Sequence, residues 1–132
     1  MTKVQKITRL NPISVAHPVG NYSHVTIVPQ NANWYTFSGQ IGTDTNGVIP
    51  QSFNAQVNNT FENIAKLLDS QGLSFEDVIK VNIWSIKEID WEYFDAIWKK
   101  YFVKQDPSMT VAYITALGLP EISLEIEVWA AK

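Results

Sequence analysis

The stretch Pro107 to Lys132, PSMTVAYITALGLPEISLEIEVWAAK, decides how the chain folds. In its second half Ile122, Leu124, Ile126 and Val128 fall on one face of an extended segment. Ser123, Glu125, Glu127 and Trp129 fall on the other. Alternation of this kind predicts a strand covered by a core on one side. Its other face carries two carboxylates about 6.5–7 Å apart along the strand, beside a tryptophan. Such a face is either wetted or lines something. The first half, starting at Pro107, predicts a strand with Met109, Val111 and Tyr113 on one face.

Working back from this end, the predicted order is strands, helix, strand, helix, strands. Residues 3–9 form a short first strand, which Asn11-Pro12 ends. Pro18 to Ser23 is a loop. Ser23–Val28 and Trp34–Gln40 read as two strands of one hairpin, and Asp44-Thr-Asn-Gly47 as a turn. Val57, Phe61, Ile64 and Leu68 repeat at helical spacing, so a helix is expected from Phe53 to Ser70. Gly72 caps it. Ser74 and Asp77 have capping-box spacing, and Val78–Ile86 reads as a strand. A second helix runs from the N-cap Asp90 to Val103, with Trp91, Phe94, Trp98 and Tyr101 along one face. Two helices cannot cover both faces of the sheet. They are expected on one face, in an α+β sandwich.

At 132 residues the chain suits a single domain spanning 1–132. Five Trp, five Tyr and six Phe against only 17% charged residues predict more apolar surface than one core needs, and hence a homo-oligomer. The net charge of −3 offers no field for nucleic acid. The absence of cysteine excludes disulfides and thiol nucleophiles. No apolar run suggests a signal peptide or membrane span, so a cytoplasmic protein is expected. His17 and His24 have no spacing that recommends a metal site. Neither a nucleophile elbow nor a phosphate-cradling loop is present. The glycine in Ser38-Gly39-Gln40-Ile41 marks a bulge or a close approach.

These segments also occur in a familiar order: Gly20-Asn-Tyr22-Ser23, Ser38-Gly39-Gln40-Ile41, Gln56, Leu67-Leu68, Gly72-Leu73-Ser74, Asp77-Val78-Ile79-Lys80-Val81, Tyr101-Phe102, Pro107 and Leu124-Glu125-Ile126-Glu127. The chain resembles the reactive intermediate deaminase family (RidA/YjgF, also labelled endoribonuclease L-PSP-like) over nearly its whole length. The resemblance implies a chorismate-mutase-like α+β fold and a homotrimer. In that trimer the sheets pack into a central barrel, with small-molecule clefts between subunits. It implies hydrolysis of reactive enamines and imines, such as 2-aminoacrylate, to a 2-keto acid and ammonia, with no metal or organic cofactor. Carried onto this chain, the cleft residues are Tyr22, Ser38, Gly39, Asp95, Met109 and Thr110, with Glu125 handling the water that adds to the carbon–nitrogen double bond.

Two positions depart from the family pattern. Where the main branch reads Pro-x-Arg-Ser/Thr, this chain reads Pro107-Ser108-Met109-Thr110. Asp95 stands where many members carry asparagine. A guanidinium grips a carboxylate with two prongs, and methionine cannot. Losing that contact costs roughly 1.5–3 kcal/mol, or about two orders of magnitude in binding. Arg9 is the only arginine. Three readings follow: a deaminase relative acting on a neutral or cationic ligand, a non-catalytic metabolite-binding trimer, or a ribonuclease or translation inhibitor. The acidic balance and the lone arginine argue against the third.

Overall fold

The computed structural model describes residues 6–132. Six strands and two helices follow in the order β1 (Thr8–Leu10), β2 (Val25–Ile27), β3 (Trp34–Thr36), α1 (Phe53–Ser70), β4 (Val78–Ser85), α2 (Trp91–Tyr101), β5 (Ser108–Tyr113) and β6 (Leu124–Ala131). The main sheet has the strand order β3-β6-β4-β5, and β1 and β2 form a separate ribbon. β4 and β5 are parallel, joined by the crossover α2. β3 and β4 each pair antiparallel with β6. They are therefore parallel to one another, with α1 crossing between them and the last strand inserted in the middle. That insertion is why the C-terminal stretch organises the whole chain.

Local chemistry explains where the helices stop and start. The Ser52 hydroxyl accepts from Ala55 N at 3.2 Å and caps α1. At its other end Gly72 takes φ +70°, where a side chain would be strained. Asp90 caps α2 through Tyr93 N. Ser74 and Asp77 form the expected capping box, around one short 3-10 turn at Phe75–Asp77.

Both helices lie on the same face of the sheet, giving an α+β fold. Val57, Phe61, Ile64 and Leu68 of α1 meet Val81 and Ile83 of β4 and Leu124, Ile126 and Val128 of β6, with Phe94 and Trp98 of α2 closing the cluster. Full burial of such side chains contributes roughly 1.5–3 kcal/mol each. Among the described residues no helix is long and apolar enough to cross a membrane.

Four expectations need correction. Ser23–Val28 and Trp34–Gln40 do not make a hairpin: β2 pairs with β1, and β3 pairs with β6. Main-chain pairing beyond Thr36 is reduced to a single bridge, Gln40 to Ile126, so the expected second strand is cut to three residues. The first strand is Thr8–Leu10, and residues 3–5 lie outside the described residues. α2 ends at Tyr101 rather than Val103, because Phe102 leaves helical geometry at ψ 79°. Its aromatic face is not uniformly covered either. Phe94 and Trp98 are 1% exposed, but Trp91 at the open first turn is 38% exposed.

Candidate functional site

The uncovered face of the sheet is built by the alternate residues of the same strands. Register places Trp84 beside Glu125, Asn82 beside Glu127 and Lys80 beside Trp129. Asn82 Nδ2 donates to Glu127 Oε1 at 2.9 Å, and Trp129 Nε1 reaches the same oxygen at 3.4 Å. Lys80 Nζ donates to Thr110 Oγ1 at 3.0 Å. Trp34 and Trp129 meet edge to face, 6.4 Å between centroids, and remain 60% and 37% exposed. Glu127 is thus tied into the sheet, whereas Glu125 makes no hydrogen bond to a side chain or backbone group among the described residues.

Glu125 has a different neighbour. A Cβ built on Gly39 would meet Glu125 Oε1 at 2.6 Å, Cδ at 2.7 Å and Cγ at 2.9 Å. The glycine is needed because the carboxylate lies directly against its backbone. The bridge from Gln40 to Ile126, with bonds of 2.8 and 2.9 Å, holds the two segments in that contact. Ser38, exposed, adjoins it, and its carbonyl accepts from Gln40 Nε2. Ser38, Gly39 and Glu125 therefore form one cluster.

The other candidates sit elsewhere. Met109 pairs with Val81 and packs on the helix-covered side, against the core. Thr110 points to the open face, on Lys80. Tyr22 lies in the 18–23 loop, which is tied to the start of β5 by Ser23 N to the Pro107 carbonyl at 3.0 Å and Ser23 Oγ to the Asp106 carbonyl at 2.6 Å. Its hydroxyl accepts from Val19 N, and its ring meets His24 edge to face. Asp95 is half-buried on α2. Met109 and Glu125 are three residues apart along the strands and two strands apart across the sheet, roughly 14 Å between backbones, on opposite faces. One chain brings Gly39 and Glu125 together, and does not bring Met109 to them.

Arg9, Lys80, Lys104 and Lys132 each have a partner within the chain. Arg9 donates to Gln105 Oε1, the Glu76 carbonyl and the Val78 carbonyl, each at 2.8 Å, and so pins β1 to the chain before β4. Burial lowers its pKa, while Asp77, Glu76 and Asp106 oppose that shift. Lys104 pairs with Glu76 at 3.0 Å on the outer surface. His24 Nε2 lies 2.7 Å from the Ala16 carbonyl. A groove of about 870 Å³ runs between Arg9, Phe75, Tyr101 and Lys104 and contains none of the predicted site residues. A smaller concavity of about 390 Å³ lies on the open face, against Trp34, Lys80, Glu127 and Trp129. The predicted chemistry lies outside the larger space, which we therefore do not take as the site.

Asn59, Asn63 and Gln56 belong to the surroundings of this site although none is among the predicted site residues. All three are amides on one stripe of α1 that hold the segments around Gly39 and Glu125. Their i, i+3, i+7 spacing was the available signal.

Residues 13–132 match the family described as Endoribonuclease L-PSP. A RutC family protein of Aquifex aeolicus is 34% identical over 121 residues, 87% of this chain and 91% of that protein. A Dermatophagoides farinae protein named 2-iminobutanoate/2-iminopropanoate deaminase is 26% identical over 76% of this chain and 77% of its own length. The crystal structure of a Rid-family protein of unknown function from Yersinia pestis superposes with a TM-score of 0.82, at 23% identity, over 97% of this chain and 100% of that one.

Proposed function

Since the chain belongs to the endoribonuclease L-PSP family, which includes the RutC and Rid proteins, we propose that it forms a cytoplasmic homotrimer with a small-molecule site at each subunit boundary. The carrying observation is the separation of the two groups of candidate residues within one chain. Gly39 and Glu125 stand at one place and Met109 at another, roughly 14 Å away and on the other face. A ligand of a few atoms touches both only if two copies supply them.

In this reading Glu125 orients a water toward the carbon of a carbon–nitrogen double bond. Water adds to carbon, the nitrogen leaves as ammonia, and a carbonyl compound remains. A carboxylate with no competing hydrogen bond among the described residues suits that role. The mite relative's name supports imine hydrolysis as the reaction class. Met109 sets the substrate: an apolar side chain occupies the position where a guanidinium would hold a carboxylate, and Arg9 is bound to its own chain. The half-buried Asp95 adds negative charge. The site therefore favours a neutral or cationic imine over a 2-imino acid. The same Met109 favours a second reading, a metabolite-binding trimer without catalysis, wherever a ligand's carboxylate is required for turnover. Neither reading involves nucleic acid.

The test is ammonia release from freshly generated 2-iminopropionate and from an uncharged imine of similar size. Faster turnover of the uncharged imine is expected. A kcat/KM within the usual enzyme range of about 10⁴–10⁸ M⁻¹s⁻¹ on 2-iminopropionate contradicts the substrate assignment. Met109→Arg is expected to tighten 2-keto acid binding about tenfold or more in calorimetry. An unchanged affinity would remove Met109 from the site.

A further inference from the structure

We infer that Gln56, Asn59 and Asn63 of α1 are positioning residues that set Glu125 against Gly39, a role that rests on the reading of Glu125 as the water-orienting carboxylate. The three amides are spaced i, i+3 and i+7, so they share one stripe of the helix. That stripe runs beside the apolar one and faces the irregular segment between β3 and α1. Asn63 Nδ2 donates to the Ile41 and Thr43 carbonyls, both at 3.0 Å. Asn59 Nδ2 donates to the Gly42 carbonyl at 3.2 Å. Gly42 has no room for a side chain, because a Cβ there would stand 2.5 Å from the Gln56 backbone. The segment is therefore pressed on the helix and bonded to it.

Gln56 holds the other side. It is 1% exposed. Its Nε2 donates to the Pro50 and Glu121 carbonyls at 2.8 and 3.0 Å, and its Oε1 accepts from Ser123 N at 2.9 Å. Ser123 lies two residues before Glu125, and Ile41 two residues after Gly39. One helix stripe thus grips both peptide segments that carry the pair. The segment before α1 has no strand partner except at Gln40, so these amides satisfy backbone groups that regular structure leaves unpaired. The contact they hold allows no slack: carboxylate atoms lie less than 3 Å from where a Cβ would begin. An ordinary buried polar network would stabilise the fold alone. This one is tied at both ends to the place where a carboxylate must be aimed.

The test uses the intact protein with ¹³C-labelled glutamate, the Glu125 Cδ signal being assigned through Glu125→Gln. Asn63→Leu, which keeps the branched shape but is larger and lacks the amide, and the milder Asn59→Ala are compared with Leu68→Val. Leu68 is buried at the far end of α1, so its variant controls for lost stability. The Glu125 signal is expected to move or broaden in both asparagine variants and to stay in place in Leu68→Val at an equal or larger loss of Tm. An unmoved signal in the asparagine variants, or an equal movement in Leu68→Val, overturns the proposal. If Asn63→Leu does not fold, Asn59→Ala decides by the same criterion. Failure of the underlying reading shows differently. Glu125→Gln would then hydrolyse imines or bind ligand like the wild type, whatever the carbon signals do.

Discussion

The two faces of β6 obey different rules. On one, Leu124, Ile126 and Val128 are 0–3% exposed and packed by α1, β4 and α2 of the same chain. On the other, Glu125 lies against Gly39, Glu127 takes polar contacts from Asn82 and Trp129, and Trp129 forms an exposed pair with Trp34. The covered face is complete within one copy, so its residues answer to stability. The open face is not, and in the proposed trimer its residues answer to what joins them. This difference makes the same strand both the core of the fold and the carrier of the candidate site.

The largest expected effect falls on the covered face. Ile126→Ala should cost about 2–5 kcal/mol, read from denaturant unfolding. A loss below about 1 kcal/mol would mean that the helices do not seal that face. Next is Trp129→Ser on the open face. If the proposed trimer packs on this face, the change should break it, since a central aromatic in an interface is often worth about 2 kcal/mol or more. Sedimentation would show subunits in place of trimers, while far-ultraviolet circular dichroism of the subunit stays native. An intact trimer would place the interface elsewhere. Gly39→Ala comes third, at about 1–3 kcal/mol for forcing a methyl into filled space. It should displace Glu125 and lose ligand binding with little loss of helix content. The smallest effect tests the rim of the covered side. There Tyr101 stacks on Phe61 and Phe75. Burial, then Glu62, raises its pKa, so folding favours the neutral phenol. That contribution is fully present below the unfolded tyrosine value near 10 and is lost as pH rises through the folded one. Between pH 9 and 12 the Tm of the wild type should therefore fall more steeply than that of Tyr101→Phe. Parallel curves would remove Tyr101 from the account.

Much of this was legible in the residues. The α1 boundaries, the Gly72 cap and the alternation of β6 follow from local spacing, and the placement of both helices on one face follows from there being only two. The hairpin did not. Val25–Ile27 and Trp34–Thr36 look paired because a turn separates them, but the partner of β3 is a strand almost a hundred residues later, which local turn chemistry cannot reveal. The site was half legible. Gly39 invited a close approach, and the approach is to the side chain of Glu125. Alternation put Met109 on one face of β5 and Glu125 on one face of β6. Whether those faces coincide depends on the register of each strand with β4, and they do not coincide. The amide stripe was missed because polar residues beside an apolar stripe ordinarily face solvent, whereas these hold irregular backbone.

In the proposed trimer one chain carries two halves of a site that only neighbouring copies complete. Static light scattering of the purified protein tests it most directly. The expected particle is three copies of 15.0 kDa, about 45 kDa, held at micromolar concentration. A 15.0 kDa particle that still binds an imine or its carbonyl product would contradict it.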